Sequence, residues 1–227
     1  MCSSDLLGTD NLGRCILSRL MYGATPSIIS ALAVVVCVFV IGIVLGISSA
    51  AIGGLYEAAV MRVITIFQAF PAFILAMAIA GTLGTGIRNG MISLIAVYWT
   101  GFAKVSRSLA LSVRDSLYIR SASISGAGTF RIMFTHILPN IFSPLLVMAA
   151  LDVGGVILSL AGLSFLGLSA QRPMAEWGMM LSDSRQYLQT APWTVILPGI
   201  AIFIVVVCFN LLADELRDVL DPKGLDA

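Results

Sequence analysis

The chain has 227 residues, of which 59% are hydrophobic and only 11% are charged. Soluble domains contain roughly 45–50% apolar and 25% charged residues, so a water-soluble fold of this length could not bury the apolar excess. The net charge of +1 gives no reason to expect nucleic acid as a partner.

Five apolar segments follow one another along the chain, and crossing a hydrocarbon layer of about 30 Å takes about 20 helical residues. The segments lie near residues 28–52, 64–83, 90–105, 141–168 and 193–213. The third is short, and we expect its helix to continue past Lys104, whose long stem can reach the lipid headgroups. Because the runs do not alternate polar and apolar residues, they indicate helices and not barrel strands. We predict an all-α, polytopic membrane helix bundle of about five transmembrane helices, in which residues 1–23 precede a membrane domain, 24–213, and residues 214–227 form a tail.

The segment between the third and fourth spans, residues 104–139, is the most basic part of the chain. It carries five of the 13 Lys and Arg residues, namely Lys104, Arg107, Arg114, Arg120 and Arg131. Basic residues in short loops favour the cytoplasmic side, so this segment and the tail are predicted to be cytoplasmic. Residues 1–23, the Arg88 loop and residues 170–192 are then outside, and eight of the 13 basic residues lie inside.

Residues 104–139 are too polar to span a membrane and too long for a simple connection. Ser116 to Ser125 can form one short helix, and Thr129 to Ile137 a second helix that ends before Pro139. Such a pair would project from the membrane. A solvated basic loop lying on anionic lipid fits the same residues, and from the residues alone both interpretations stay open.

One carboxylate, Asp152, falls inside the fourth apolar segment, about 13 residues after Pro139. A charged group in the hydrocarbon is costly, so a functional role is the first hypothesis. Asp152 either lines a translocation path that attracts a cationic or metal-chelate substrate, or accepts a structural hydrogen bond from another helix.

The loop after the fourth span contains Glu176 and Trp177. Residues 175–187 have the spacing of an amphipathic helix lying at the membrane interface. Trp177 is then either an aromatic anchor among the headgroups or a residue with a functional role of its own.

No residue pattern indicates catalysis. The chain has no glycine-rich phosphate loop ending in Lys-Ser or Lys-Thr. His136 is the only histidine, and no Cys or His cluster accompanies it. We therefore expect no catalytic, cofactor-binding or metal-ligating residue. A secondary transporter or channel is the rival interpretation, although such proteins often show internal repeats and several charged residues within the membrane.

Two short motifs in the basic segment resemble a known family. Ser125-Gly126-Ala127-Gly128, followed by His136-Ile137-Leu138-Pro139-Asn140, is similar to the coupling-loop signature of ABC importer permeases. It most resembles the second permease subunit of the dipeptide, oligopeptide and nickel group. Further pieces of that pattern occur in order along the chain: Gly8-Thr9-Asp10-Asn11-Leu12-Gly13-Arg14, Leu163-Ser164-Phe165-Leu166-Gly167-Leu168, Phe209-Asn210-Leu211-Leu212 and Leu220-Asp221-Pro222.

The resemblance implies the type I importer permease fold, with residues 104–139 docking on a separate ATPase. The residues that it assigns to this coupling contact are Arg120, Ser121, Ala122, Gly126, His136, Ile137, Leu138 and Pro139. The family pattern has Glu-Ala-Ala where this chain has Arg120-Ser121-Ala122, so an acidic contact is absent or reversed in sign. The family also has a further span before Gly8, which leads us to expect a sequence truncated at its start.

By the same resemblance the chain is one permease subunit of a bacterial inner membrane importer. Its expected partners are a second permease subunit, two ATPase subunits, an extracytoplasmic substrate-binding protein and membrane lipid. ATP and Mg would be bound by the ATPase subunits, and no cofactor by this chain. Glu176 and Trp177 would help to dock the binding protein. Their surroundings, Ala175-Glu176-Trp177-Gly178 and Asp183-Ser184-Arg185-Gln186-Tyr187, look closer to the nickel branch than to the peptide branch. We expect nickel or a metal chelate as the substrate, with di- or oligopeptides as the alternative.

Overall fold

A computed structural model describes residues 7–114, 116, 117, 119, 124–126 and 128–220. The helices discussed below are α1 Ile16–Ile52, α2 Gly54–Gln68, α3 Ala72–Leu83, α4 Ile87–Arg114, α5 Thr129–Phe165, α6 Trp177–Ser184 and α7 Trp193–Leu220. Within the described residues, β-type pairing is limited to one isolated antiparallel bridge between Thr9 and Cys15. The predicted all-α class is confirmed.

Several of these helices have the length and composition of membrane spans. Among the described residues, α1, α5 and α7 are long and apolar enough to cross a membrane, and a fourth span results if α2 and α3 together form one broken span. The third predicted segment lies in α4, which has 28 residues and also carries Lys104, Arg107 and Arg114. All five predicted segments thus fall on helices, apart from a few terminal residues and a short break inside the second segment.

The second predicted segment, residues 64–83, is not a continuous helix. α2 ends at Gln68 and α3 begins at Ala72. Pro71 lies in this break; it has no N–H group to donate into the preceding turn, and its ring disfavours a helical conformation of Phe70. The helix is therefore interrupted where the uninterrupted apolar run predicted one continuous helix.

The residues pack into two compact units. The first unit comprises Met1–Val35, Phe73–Leu94 and Asp152–Asn210, and the second comprises Val36–Ala72, Ile95–Leu151 and Leu211–Ala227. The second unit has a core of buried side chains from α1, α4, α5 and the residues between α4 and α5. Its members are Ile43, Ile47, Ala50, Ala110, Ile119, Met133, Ile137, Ile141 and Leu145. Because lipid is as apolar as these side chains, close packing is what stabilises such contacts within a bilayer.

Glycines let α1 and α4 approach closely in the second unit. A Cβ atom added at Gly42 would lie 2.3 Å from the Cβ atom of Phe102, and one added at Gly46 would lie 2.5 Å from the carbonyl oxygen of Ala103. The two glycines are one helical turn apart, a spacing that places both on one face of α1. Small residues at this spacing are typical of close contacts between membrane helices.

Candidate functional site

The predicted coupling motif ends on α5, which begins at Thr129 and continues through Pro139. The expected helix end before Pro139 is therefore wrong. A π-helical turn over Met133–Ile137 widens the helix, and the Leu138 N–H group donates to the carbonyl group of Met133, five residues back. The extra residue in this turn changes the hydrogen-bond register just where a proline without an N–H group enters the helix.

The side chains of the π-helical turn divide between the core and the surface. Ile137 is only 1% exposed and belongs to the core of the second unit, together with Met133. His136 and Leu138 are half-buried, and Pro139 is exposed. Ile137 thus anchors the turn, and Pro139 and Asn140 are exposed at its end.

The start of the motif is described only in part. Gly126 is exposed and has a φ of +84°, in the left-handed region that favours glycine. Gly128 precedes α5 as its N-cap residue. The other predicted contact residues, Arg120, Ser121 and Ala122, lie outside the described residues.

Basic residues of α4 have partners within the second unit. Arg107 forms an ion pair with Glu57 of α2. Arg114 donates to the carbonyl group of Ala50 at 2.8 Å, close to the end of α1, where carbonyl groups lack partners within the helix. The sequence did not reveal these pairings, because no periodicity links residues 50 and more positions apart. The two arginines are therefore held against neighbouring helices.

Asp152 lies on α5 and is half-buried. Among the residues that the structure describes, none donates a hydrogen bond to its carboxylate or forms an ion pair with it. At Gly155, almost one turn further along α5, a Cβ atom would have no neighbour within 4 Å other than adjacent residues and the backbone of its own helix. The structural-acceptor interpretation thus has no donor in the described part of the chain, and the path interpretation stays a prediction.

Glu176 and Trp177 are buried, with exposed fractions of 2% and 3%. The Glu176 carboxylate caps α6 by accepting hydrogen bonds from the N–H groups of Gly178 and Met179, at 2.9 and 2.8 Å. The Trp177 indole N–H group donates to the carbonyl group of Leu20 in α1 at 3.0 Å. The predicted helix is present as α6 and the 3₁₀ turn Arg185–Tyr187 that follows it. The aromatic anchor is wrong, because Trp177 is buried within the first unit, and the position of the helix at the membrane interface stays a prediction. The docking predicted for these two side chains would have to act through the loop that they hold in place.

An ion-pair cluster in the first unit was not predicted from the sequence. The Asp10 carboxylate accepts from Arg14 Nε at 2.7 Å and from Arg19 Nη1 at 3.4 Å. Asp183 of α6 accepts from Arg172 Nε at 2.5 Å. Its other carboxylate oxygen lies 3.8 Å from a guanidinium nitrogen of Arg14 and 3.8 Å from one of Arg19. The cluster joins the residues before α1 to the loop that carries α6.

Asp10 is the residue of this cluster whose environment most clearly favours the ionised form. Burial raises the pKa of its carboxyl group, but hydrogen bonds from the Arg14 N–H group, the Arg14 side chain and the Leu12 N–H group lower it by more. The pKa of Asp10 therefore lies below its ordinary value of 3.8. At neutral pH this carboxylate is charged and paired.

The long apolar helices define a polytopic helical membrane protein. Residues 42–224 match the family described as "Binding-protein-dependent transport system inner membrane component". The chain belongs to this family: it is a multi-pass permease subunit of an ABC importer of the inner membrane. A secondary transporter or channel is not supported by these comparisons.

Individual relatives agree with this assignment. The chain is 44% identical over 216 residues to the nickel transport system permease protein NikC of Escherichia coli K12, covering 95% of this chain and 78% of that protein. It is equally identical, at 44% over 216 residues, to the dipeptide transport system permease protein DppC of Alkalihalophilus pseudofirmus, covering 95% of this chain and 71% of the relative. An inward-facing structure of the MetNI methionine ABC transporter has the same fold, with a TM-score of 0.74 at 16% identity, covering 89% of this chain and 96% of that chain.

Proposed function

We propose that this permease subunit forms half of a translocation path for nickel or a metal chelate. The observation that carries the proposal is Asp152, a half-buried carboxylate on α5 without a partner among the described residues. An unpaired carboxylate within a membrane is costly by itself and attracts a cation. The 44% identity to a nickel transport permease over 95% of this chain supports the same class of substrate.

Import of di- or oligopeptides by the same machinery is the second candidate. The identity to a dipeptide permease is as high, at 44%, and the terminal ammonium group of a peptide would also pair with Asp152. A metal cation has no carboxylate of its own, whereas a peptide carries one that Asp152 would repel. This difference in charge favours the metal.

The other parts of the importer are proposed from the family. A second permease subunit completes the path, and two ATPase subunits bind ATP and Mg on the cytoplasmic side, where residues 104–139 and the tail lie. A substrate-binding protein delivers its cargo on the outside, to the residues before α1, the α3–α4 turn and the loop that carries α6. This chain itself needs no cofactor.

The coupling contact is proposed to lie between Arg114 and Pro139, around the described turn at Gly126. α5 runs without a break from Thr129 past Asp152, so a displacement imposed at the exposed Pro139 is carried along one helix toward the carboxylate. Because Ile137 is buried in the core of the second unit, the π-helical turn moves together with the helices around it.

Uptake by cells that express the whole gene cluster tests the substrate. Radioactive nickel and a labelled dipeptide are offered separately to a strain that lacks its own uptake systems for both. We expect nickel accumulation that depends on this chain and falls about tenfold or more in Asp152→Asn. The matched control is Asp218→Asn, which makes the same change at the exposed end of α7. Dipeptide uptake without nickel uptake would refute the nickel assignment. Unchanged nickel uptake in Asp152→Asn, with normal assembly, would remove Asp152 from the path.

A further inference from the structure

A groove on the second unit is bordered by α5 and by the end of α7. Its volume is about 610 Å³, within the range of about 300–1,000 Å³ that is usual for small-molecule sites. The α5 residues that line it lie between Asn140 and Leu151 and recur at a spacing of three and four positions, so they form one stripe along the helix. Arg217 and Leu220 line it from α7.

The lining of this groove changes from polar to apolar with depth in the membrane. Asn140 directly precedes the fourth apolar segment, and Arg217 follows the fifth segment by four residues, where a long side chain can reach the headgroups. Leu151 is 11 residues beyond Asn140, about 16 Å along the helix axis, which is about half of a hydrocarbon layer of about 30 Å. The deeper part of the lining is apolar: Val147, Met148 and Leu151. The groove therefore has a polar mouth and an apolar wall about one leaflet deep.

The polar groups at the mouth are available to a ligand. Neither the Arg217 guanidinium group nor the Ser143 hydroxyl group has a hydrogen-bond or ion-pair partner among the residues that the structure describes. Asn140 Nδ2 donates to the carbonyl group of His136 at 2.6 Å, which orients the amide and leaves its Oδ1 atom as an acceptor. The mouth thus offers two kinds of donor and one acceptor.

The charge at the mouth is positive. Arg217 is the one charged residue among the described residues that line the groove. The neighbouring acidic residues of α7 are exposed but do not line it: Asp214, Glu215 and Asp218. A guanidinium group binds phosphate oxygens through parallel, charge-assisted hydrogen bonds. An anionic headgroup would compensate the charge of Arg217, whereas a neutral ligand would not.

We propose that this groove, called the α5–α7 groove, binds one anionic phospholipid. Arg217 and Ser143 donate to the phosphate oxygens, and a hydroxyl group of the headgroup donates to Asn140 Oδ1. An acyl chain lies along the apolar wall. A transmembrane helix of another protein would be about 30 Å long, about twice the depth of the groove, whereas basic sites between membrane helices are typical of anionic lipid binding. The inference uses neither the substrate nor the orientation of the chain, so it goes beyond the proposed function.

Photolabelling of the complete importer complex tests this site. The complex is placed in phosphatidylcholine nanodiscs that contain a small fraction of phosphatidylglycerol with a photoreactive acyl chain, and peptide mapping measures the labelled fraction of residues 144–151. We expect labelling in the wild type, and competition by unlabelled phosphatidylglycerol at a concentration about tenfold or more below that of phosphatidylcholine. Arg217→Gln should lower the labelling about tenfold, because the charge-assisted contact with the phosphate group is lost. Arg217→Lys, which keeps the charge, should retain most of it.

Two further variants separate the groove from general attraction to lipid. Arg62→Gln removes another exposed arginine of the second unit and should leave the labelling within about twofold of the wild type. Val147→Phe narrows the apolar wall without a change of charge, so it should lower the labelling and keep the preference for phosphatidylglycerol. Wild-type labelling in Arg217→Gln, or equal competition by the two lipids, overturns the inference.

A photoreactive amino acid in place of Met148 gives an independent readout of what occupies the groove. We expect it to cross-link to phospholipid in the assembled complex. A cross-link to a second permease subunit, or to residues 221–227 of this chain, in place of the lipid would overturn the inference, because protein would then cover the groove. Neither result bears on nickel uptake, which tests the proposed function separately.

Discussion

At the level of single residues, Asp10 shows how one carboxylate connects two parts of the chain. It accepts hydrogen bonds from the N–H groups of Leu12 and Arg14 and from the side chains of Arg14 and Arg19. Arg19 also lies beside Asp183 of α6. The residues before α1 and the loop that carries α6 are therefore joined through shared arginines, and the strength of that connection depends on the charge of Asp10.

We predict that acid weakens this connection. The pKa of Asp10 is depressed in the folded protein, so its stabilisation is complete above the ordinary value of 3.8 and is lost as the pH falls through the depressed pKa. Asp10→Asn removes the titration. Its melting temperature in detergent should lie about 2–4 °C below that of the wild type near pH 7, for a loss of about 1 kcal/mol, and the difference should narrow as the pH falls below 3.8.

Asp218→Asn, at an exposed position on α7, is the control for this measurement and should leave the melting temperature near pH 7 unchanged. A difference between wild type and Asp10→Asn that does not narrow as the pH falls well below 3.8 would show that the loss comes from shape or packing and not from charge.

At the level of the helices, the contact between α1 and α4 depends on the absence of side chains. A Cβ atom at Gly46 would lie 2.5 Å from the carbonyl oxygen of Ala103 and 2.6 Å from the Cβ atom of Ser106. Backbone atoms cannot move away as a flexible side chain can, so the two helices would have to separate. Close approach is what holds membrane helices together, since lipid removes the hydrophobic driving force between them.

We predict that Gly46→Ala destabilises the second unit by about 1–3 kcal/mol, the usual range for overpacking. Gly101→Ala, on α4, is the matched control, because its Cβ atom would have no neighbour within 4 Å other than adjacent residues and the backbone of its own helix. It should change stability by no more than about 0.5 kcal/mol. Unfolding by increasing amounts of a denaturing detergent measures the stability of both variants. Equal stability of the two variants would contradict the proposed packing.

The positions of the helices could be predicted because membrane thickness fixes the length of an apolar run. Whether each proline interrupts its helix could not be predicted from the sequence. Pro71 lies in a break between two helices, whereas at Pro139 a π-helical turn keeps α5 continuous. Which outcome occurs depends on whether neighbouring backbone groups find new partners, and a sequence does not show this.

The same limit applies to the candidate sites. Asp152 could be identified as a candidate site residue because a single charged residue within an apolar run is visible in the sequence itself. The inward orientation of Glu176 and the pairing of Asp10 and Asp183 with shared arginines depend on contacts between residues far apart in the sequence, such as Trp177 with Leu20. No spacing rule encodes such contacts, so these residues were assigned to the surface or to no site at all.

At the level of the whole molecule, the orientation in the membrane determines which partner each surface meets. Eight of the 13 basic residues lie on the side predicted to be cytoplasmic. Three of the remaining five, Arg88, Arg172 and Arg185, are exposed. The difference between eight and five basic residues favours this orientation only modestly.

We predict that a membrane-impermeant thiol reagent labels Gln189→Cys in right-side-out spheroplasts and Ile124→Cys only in inverted vesicles. Gln189 is exposed, and Ile124 is 88% exposed, so both positions are open to the reagent in the folded chain. The parent chain is the necessary control, because Cys37 and Cys208 are also exposed. Labelling of Ile124→Cys in spheroplasts would put the coupling segment outside, away from any ATPase. The same result would move the loop that carries α6 to the cytoplasm, where no extracytoplasmic binding protein could reach it, so this measurement tests the orientation on which the proposed function depends.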